Sequence, residues 1–408
     1  MTTIAYLANL FPVEVEPYVE EEIHVLRRCG VNVIATSVRR PKQEFIPRVP
    51  QQEEILYLLP VSFSLLTRAL ALLIHRREQI AEVVARVLFL GHESFLQRMK
   101  ALLHTWLGAC YALRLQNNEV NHIHVHHGYF GSWIAMIAAR LLNISYSLTL
   151  HGSDLLIDGV YLDVKLKHCS FCNTVSAYNR NYMLRHFPKV DPEKIKVLRL
   201  GVDLPEVPHP ASWPVLKPSS TLSLVSVGRL HPVKNHEFLV RCCARLRDFG
   251  VDFSCKVAGD GPERYSLETR IRAAGLADHV KLLGHVSHLK IDELYGEADL
   301  VVLTSRSEGI PLVLMEAMAK GKFVLAPAIT GIPELVIPGK TGFLYSPGII
   351  EDFVQKVIFV SQFMRGKTSG EARADWIRHA AHLQVLHNFN RQKNLANLSH
   401  LFLKHLAA

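Results

Sequence analysis

No stretch of this 408-residue chain reaches the run of about 18 apolar residues that a membrane-spanning helix needs. The nearest, VSFSLLTRALALLI, is short and carries Arg68. Cysteine is scarce, with seven residues, which excludes a disulfide scaffold and fits a reducing cytosol. Cys169 and Cys172 have redox or half-zinc spacing, but no second C-x-x-C follows, so the pair reads as buried and structural. No D-x-D occurs, which argues against a divalent cation held on a diphosphate by paired carboxylates. No G-x-G-x-x-G follows a first strand, so a nicotinamide cofactor has little support. PGKTG at 338–342 falls short of a phosphate loop because Glu334 stands where a glycine is required. Zinc-finger spacing, a recognition-motif aromatic pattern and a dense basic run are also missing, which leaves nucleic acid without support. Residues 1–11, MTTIAYLANLF, have no positive n-region or small-residue cleavage site. They read as a first strand, not a signal peptide, and a cytoplasmic location is expected.

The length itself implies two cores, because single cores stop growing at around 250–300 residues. Forty-six basic against 37 acidic residues leave a net charge of +9. That surplus suits an anionic partner, whether a nucleotide sugar, a lipid phosphate or an anionic membrane face. Strand and helix patterns alternate from Ile4–Ala8 onward, with strands expected at 31–36, 120–125, 146–150, 170–175 and 194–198. Five prolines between Pro205 and Pro218 mark a linker over 205–218. The alternation then restarts, with strands at 222–227, 254–258, 280–283, 300–304 and 323–326. The expected architecture is α/β: two doubly wound, Rossmann-like domains facing a cleft. The first runs over 1–204 and contains a Leu- and Ala-rich helical segment, 62–116. The second runs over 219–385, and a tail helix over 386–408, with Leu395, Leu398 and Leu401 on one stripe, follows it.

Two segments carry most of the chemistry. In TSRSEGIPLVLMEAMAKG, residues 304–321, a buried strand gives way to a loop with Glu308, Gly309 and Ile310. Pro311 then fits the first turn of a helix running to Lys320. The free N–H groups of that helix start, at 311–313 and so at Leu312 and Val313, form an anion site suited to a diphosphate. Gly309 lets backbone approach a ligand closely. Glu308 and Glu316 can both face one ligand, as good acceptors for sugar hydroxyls; read alone, they fit equally well as a helix-start carboxylate and an exposed helical one. In VSVGRLHPVKNHEFLV, residues 225–240, Arg229 and Lys234 follow a strand end, where two cations can neutralise a pyrophosphate. In isolation they would be solvated surface cations.

Together these segments resemble the retaining family-4 glycosyltransferases of the GT-B fold. The G-R strand end with its following Lys matches Arg229 and Lys234, and the E-x7-E signature matches Glu308 and Glu316. GDGPER at 259–264, GHVS at 284–287, GIPELVIPGKTGFLY at 331–345 and RLGVDL at 199–204 match in order. The resemblance implies that Arg229 and Lys234 hold the donor diphosphate, Glu308 the sugar hydroxyls and Glu316 the ribose. It also implies that His285 and Val286 of GHVS meet the base. Ile310-Pro311 replaces the aromatic-glycine common after the first Glu, which leaves the donor sugar open.

The N-terminal half is similar to an exopolysaccharide-building, colanic-acid type subgroup. In FPVEVEPYVEEEI, residues 11–23, Val15, Glu16, Pro17 and Tyr18 stand where S, E, T and F are usual, so only the acid is kept. His122, His124 and His126 alternate along a strand and share one face. With no Asp, Glu or Cys suggested nearby, no metal is assigned, and His126 is expected on the acceptor side with Glu16. SLTLHGSDL, residues 147–155, places His151 where the family has a histidine that reaches the transferred sugar or its leaving phosphate. Without the other matches, it would read as a satisfied loop histidine.

The expectation is thus a metal-independent, retaining hexosyltransferase-type enzyme without a cofactor. It would use a nucleotide-sugar donor and a glycan or lipid-linked glycan acceptor, in exopolysaccharide or cell-surface polysaccharide synthesis. His151 and Glu308 are the expected catalytic pair. A GT-B nucleotide-sugar epimerase and a catalytically silent nucleotide-sugar-binding protein are the rival readings. In 62–116, Leu65, Leu66, Ala69, Leu72 and Leu73 share one helical face near Arg68, Arg76 and Arg77. That face fits either an anionic membrane surface or the N-terminal core.

Overall fold

The structure is a computed structural model that describes residues 2–13, 16–41, 54–157, 159–204, 221–364 and 371–406. The expected linker lies outside these residues. The chain divides into two compact units: Met1–Leu198 with Lys393–Ala408, and Arg199–Gln392.

The first unit begins with β1 (Thr3–Leu10), α1 (Pro17–Arg28), β2 (Asn32–Arg39) and β3 (Leu56–Tyr57). Three consecutive helices follow: α2 (Phe63–His75), α3 (Arg77–Leu88) and α4 (Phe95–Leu115). Alternation resumes with β4 (His122–His126), α5 (Phe130–Leu142), β5 (Ser145–Leu150), α6 (Ser153–Leu156), α7 (Leu162–His168), β6 (Cys172–Thr174), α8 (Ala177–His186) and β7 (Ile195–Val197). These strands form one sheet in the order β3-β2-β1-β4-β5-β6-β7, parallel throughout. Their buried Val, Ile, Leu and Ala runs suit a sheet covered on both faces.

Ser62 and Ser94 set the starts of α2 and α4. Each hydroxyl accepts the N–H three residues on, and Gln97 returns the bond to Ser94 in a capping box. Leu65, Leu66, Leu72 and Leu73 pack, with buried Ala69, against the core that α4 and α5 line. This face, which from sequence fitted a membrane or the core, is therefore core.

The second unit contains β8 (Leu222–Val227), α9 (His236–Asp248), β9 (Phe253–Ala258), α10 (Arg264–Ala273), β10 (Val280–Gly284), α11 (His288–Glu297) and β11 (Leu300–Val302). It continues with α12 (Leu312–Ala319), β12 (Phe323–Pro327), α13 (Ile332–Leu335), β13 (Phe343–Tyr345), α14 (Ile350–Met364) and α15 (Glu371–Asn388). Its sheet, ordered β10-β9-β8-β11-β12-β13, is also wholly parallel. Two Rossmann-like α/β units result. The short strands β3 and β13 were not among the strands expected from sequence.

Two boundaries differ from expectation. Residues 199–204 belong to the second unit, where Val202 N–H donates to Phe389 O at 3.0 Å and Arg199 pairs with Glu334 at 3.1 Å. Residues 386–392 stay there too, because α15 runs to Asn388 and Gly201 packs directly on the backbone of Phe389 and Arg391.

The last helix, α16 (Arg391–Leu406), lies on the first sheet. Leu398 and Phe402 are buried with Ile4, Tyr6 and Phe171, while Leu401 is partly buried beside them. The Phe402 ring meets Phe171 edge-on at 5.3 Å and His124 at 4.8 Å. Phe402→Ala should therefore cost about 3–5 kcal/mol of stability. Denaturant unfolding followed by fluorescence would measure it, and a change under about 1 kcal/mol would mean that this ring does not support the sheet.

Candidate functional site

In each sheet the strand order reverses beside the first strand of the unit, between β1 and β4 and between β8 and β11. Loops leaving the carboxyl ends of such strands diverge and leave room for a ligand. Arg229, Lys234, Glu308, Glu16 and His126 stand at these strand ends, while His151 follows β5 and His285 follows β10.

In the second unit, β8 delivers Gly228 and Arg229, and a short 3-10 turn brings in Lys234. Gly259, at φ 143°, packs on Gly228, where a Cβ would lie 2.0 Å from its carbonyl oxygen, which explains the first glycine of GDGPER. The loop after β11 is bound to the Lys234 turn at two points. Arg306 N–H donates to Val233 O at 2.8 Å, and Thr304 Oγ1 donates to Lys234 O at 3.0 Å.

This stitching sets Lys234 Nζ 2.6 Å from Glu308 Oε1. Ser305 Oγ donates to the same carboxylate oxygen at 2.6 Å, and Thr330 Oγ1 donates to Glu308 O at 2.6 Å. Gly309 carries the chain past Gly331 so closely that a Cβ on Gly331 would lie 2.1 Å from Gly309 O. Ile310 is buried. Pro311 sits at the N-cap, one step outside the helix in which sequence placed it, and α12 starts at Leu312. Its first N–H groups, those of Leu312 and Val313, face away from the helical ladder and can receive an anion.

Glu316, one turn inside α12, accepts from Tyr295 OH at 2.8 Å. Arg229 is exposed at the strand end. His285 and Val286 follow β10, the first exposed and the second partly buried. The structure thus joins Lys234 to Glu308 directly and fixes Glu316 separately. Sequence reasoning did not single out Ser305, Thr330 or Tyr295.

In the first unit three loop starts converge. Glu16 and Tyr18 lie at the start of α1, His126 and His127 at the end of β4, and His151 after β5. Asp154 ties two of these loops together. Its carboxylate accepts from the N–H groups of Gly128 at 2.8 Å, His151 at 3.1 Å and Gly152 at 2.7 Å. Lys165 adds a buried clamp, donating to Gly128 O at 2.6 Å and Val160 O at 2.8 Å. His127, at φ 69°, reaches Glu16 Oε1 at 3.1 Å and Asp154 Oδ2 at 3.7 Å.

The His151 ring is packed by Tyr18 at 4.7 Å and His127 at 4.7 Å, and its Nε2 lies 2.9 Å from His126 Nδ1. Burial, then the neighbouring His127 and His126, hold His151 well below the ordinary histidine range, so it is neutral.

The histidine stripe corrects one expectation: a carboxylate does lie beside it. Glu22, His124 and His126 offer ligand atoms within 4.8 Å of one another. Both nitrogens of His124 already face hydroxyls, Ser147 Oγ at 2.7 Å and Thr149 Oγ1 at 3.1 Å. His122 similarly faces Ser145 and Ser147 at 2.7 Å each. The stripe is thus a hydrogen-bonded network. A signal for Glu22 was present in the sequence: it falls with Val19, Ile23 and Leu26 on the buried face of α1. A carboxylate on an apolar stripe needs a buried partner.

The profile of the Glycosyltransferase Family 4 domain matches residues 15–206, and that of Glycosyl transferases group 1 matches residues 211–382. The chain belongs to the family-4 glycosyltransferases of the GT-B fold.

WcaL of Escherichia coli K12, whose name assigns it to colanic acid biosynthesis as a glycosyltransferase, is 33% identical over 215 residues. That alignment covers 50% of this chain and 51% of WcaL. The chain spans about half the length, or less, of the curated relatives it matches first. Among solved structures, sucrose-phosphate synthase from Thermosynechococcus elongatus aligns over 100% of both chains, with TM-score 0.74 and 16% identity. HepE from Anabaena, solved with UDP and glucose, aligns over 99% of this chain and 100% of its own, with TM-score 0.66 and 19% identity. At those identities the two structures bear on fold alone.

The His127 cluster gives this family member a testable pH signature. Burial by itself would lower the His127 pKa, but bonds to Asp154 and Glu16 overcome it and raise it to about 10. Asp154 is held well below its ordinary value; burial opposes this, but the bond to His127 and the charge of His127 outweigh it. Stability from His127 is complete below its ordinary value of 6.5 and is lost as pH rises through about 10. Stability from Asp154 is present above 3.8 and is lost as pH falls below it. Asp154→Asn should return His127 toward ordinary titration and lower stability at neutral pH by about 3–5 kcal/mol. Imidazole NMR titration reads the first effect and denaturant unfolding the second. A wild-type His127 titrating near its ordinary value would contradict the assignment.

Proposed function

We propose that the chain transfers a sugar from a nucleoside diphosphate donor to a glycan or lipid-linked glycan acceptor, in exopolysaccharide or cell-surface polysaccharide synthesis. The observation that carries this reading is the Lys234–Glu308 contact beside the start of α12. Lys234, a second cation in Arg229 and two open helix N–H groups suit a departing diphosphate, while the carboxylate beside them suits sugar hydroxyls. Glu316, already held by Tyr295, is the proposed ribose acceptor, and His285 with Val286 the proposed base contact. Gly309 and Ile310 form the sugar-facing loop. His151 and Glu308 act on the sugar, and Glu16 and His126 belong to the acceptor side. Retention of configuration is part of the proposal and rests on the resemblance to retaining enzymes. The names of WcaL and of the amylovoran biosynthesis glycosyltransferase AmsK of Erwinia amylovora support the exopolysaccharide assignment.

The proposed mechanism uses fixed charge and hydrogen-bond donors, with no metal and no cofactor. Arg229→Ala and Lys234→Ala should each weaken binding of a nucleoside diphosphate by about 10- to 150-fold, the loss expected for one charge-assisted contact of about 1.5–3 kcal/mol. Calorimetry reads the affinity, and unchanged binding in both variants would remove the diphosphate site. Transfer activity should persist after exhaustive chelation. A strict Mg²⁺ requirement, lost with EDTA and restored by the ion, would contradict this mechanism.

A lipid-linked acceptor would be met at a membrane, and we propose that the first unit docks on an anionic bilayer surface from the cytoplasmic side. Among the described residues, no helix is long and apolar enough to cross a membrane. The docking face is not the one weighed from sequence. Trp106 Nε1 donates to Leu66 O and Arg114 to Pro60 O, so α2 and α4 run antiparallel. That register brings exposed Leu70 and Ile74 alongside exposed Leu103 and Met99. Phe89 and Phe95, on the turn that leads into α4, keep 79% and 80% of their surface exposed. Exposed Arg68, Arg76, Arg77 and Lys100 supply positive charge nearby, against exposed Glu78. Apolar anchors with basic neighbours suit an anionic interface. The protein should float with anionic vesicles at low salt. Phe89→Ser with Phe95→Ser, or Arg76→Glu with Arg77→Glu, should abolish flotation. No flotation of the wild type at low salt would sink the docking proposal and leave sugar transfer standing.

A further inference from the structure

Glu22 sits at the root of a buried chain that ends at His151. Its Oε2 accepts from Tyr6 OH and lies 3.0 Å from His126 Nε2. Tyr6 OH is also 3.0 Å from that nitrogen. On the other side of the same ring, His126 Nδ1 lies 2.9 Å from His151 Nε2. Tyr6, Glu22 and His126 are all buried, so no solvent can supply a substitute partner.

An ionised carboxylate can only accept. The hydrogen that faces Glu22 from the imidazole must therefore sit on His126 Nε2. A second proton on His126 would place a cation 6.3 Å, between ring centroids, from His127, which its own two carboxylates hold positive. A singly protonated His126 then presents a bare Nδ1, so the hydrogen between the two rings belongs to His151 Nε2. Among the described residues, no hydrogen-bond partner faces His151 Nδ1.

We propose that Glu22, acting through His126, is a positioning residue that locks His151 in its Nε2–H tautomer, so that His151 meets substrate as a hydrogen-bond acceptor at Nδ1. The group received there is a hydroxyl of the sugar substrate, which rests on the sugar-transfer reading above; the tautomer does not. The lock excludes His151 as a proton donor to a leaving group, since its one proton is committed to His126. It also explains why a carboxylate is tolerated on the apolar face of α1. The carboxylate sets the direction of two successive hydrogen bonds, and each ring passes that direction on.

Nitrogen-15 NMR of histidine-labelled wild type reads both tautomers directly, with resonances assigned through His126→Gln and His151→Gln. Both rings should show a protonated Nε2 and a bare Nδ1; a protonated Nδ1 on His151 would overturn the proposal. In Glu22→Gln the amide can turn its NH₂ toward His126 Nε2, which reverses both hydrogens. That variant should show Nδ1–H on His151 and a kcat lower by about tenfold or more, the scale of one hydrogen bond lost in the transition state, with donor KM within about twofold. Glu22→Asp should keep the wild-type tautomer and recover part of kcat. If Glu22→Gln lowers only the melting temperature and leaves tautomer and kcat unchanged, Glu22 is merely structural and the proposal fails. Should that variant not fold, the wild-type spectrum alone decides. A wild type with the expected tautomers that transfers sugar from no nucleotide donor would instead defeat the functional reading and leave the lock intact.

Discussion

A parallel sheet whose first strand lies in its interior can open to a ligand at only one place, and both units of this chain are built under that constraint. The loops after β1 and β4 separate in the first unit, as do those after β8 and β11 in the second. Buried strands cannot carry charge at their middles, so chemistry is confined to their carboxyl ends. Arg229 and Lys234 follow β8, Glu308 follows β11, Glu16 follows β1, and His126 and His127 close β4. Arg229, Lys234, Glu308 and Glu16 follow apolar runs whose packing holds them, while His126 ends a strand held by the hydrogen bonds of its own histidines.

The two units solve the problem of fixing polar groups differently. The second uses backbone-directed stitching, in which one loop hangs from another through Arg306 N–H and Thr304 Oγ1, and the ion pair of Lys234 with Glu308 results. That pair is partly exposed, so it can exchange partners when a ligand arrives. The first unit uses burial. Asp154, His127, His126, Glu22 and Tyr6 satisfy one another away from water, and such a network is rigid because each member left alone would be costly. A mobile pair suits the side of the reaction that binds and releases a charged group, and a rigid one suits the side that must present a hydroxyl contact at a fixed angle.

How much of this was legible in the sequence depended on distance along the chain. Long apolar runs such as 222–227 and 300–304 announced their strands, and Glu308 and Glu316 could be read because they are separated by eight positions of one loop and one helix. β3 and β13, edge strands two and three residues long, went unread although β6, β7 and β11, three residues each, did not, so length alone does not account for the miss. Glu22 to His126 spans 104 positions, and only the fold brings the two together. The expected boundary at the linker shifted because Gly201 and Val202 pair with Phe389 to Arg391, a contact that no local pattern encodes. On α2 the difficulty was one of face. The helix is apolar on more than one side, and periodicity alone could not tell the core side, Leu65 and Leu66, from the outward side, Leu70 and Ile74.

Charge around the donor-side site leads to one last step. Arg229 and Lys234 bring two positive charges, and Glu308 and Glu316 bring two negative ones, so the side chains together are neutral. The nucleoside diphosphate proposed as donor would therefore not be held by the net charge of these four side chains. In the proposed reading its attraction would come from arrangement: cations and the start of α12 toward the phosphates, carboxylates toward hydroxyls. In the proposed reading Lys234 would link the two halves of that arrangement, because its ammonium pairs with Glu308. A diphosphate drawing Lys234 away would leave the Glu308 carboxylate bonded to Ser305 alone and open to sugar hydroxyls. In the proposed reading phosphate capture and sugar recognition would be one event, and the arrangement would discriminate a sugar nucleotide from inorganic anions that offer charge without hydroxyls.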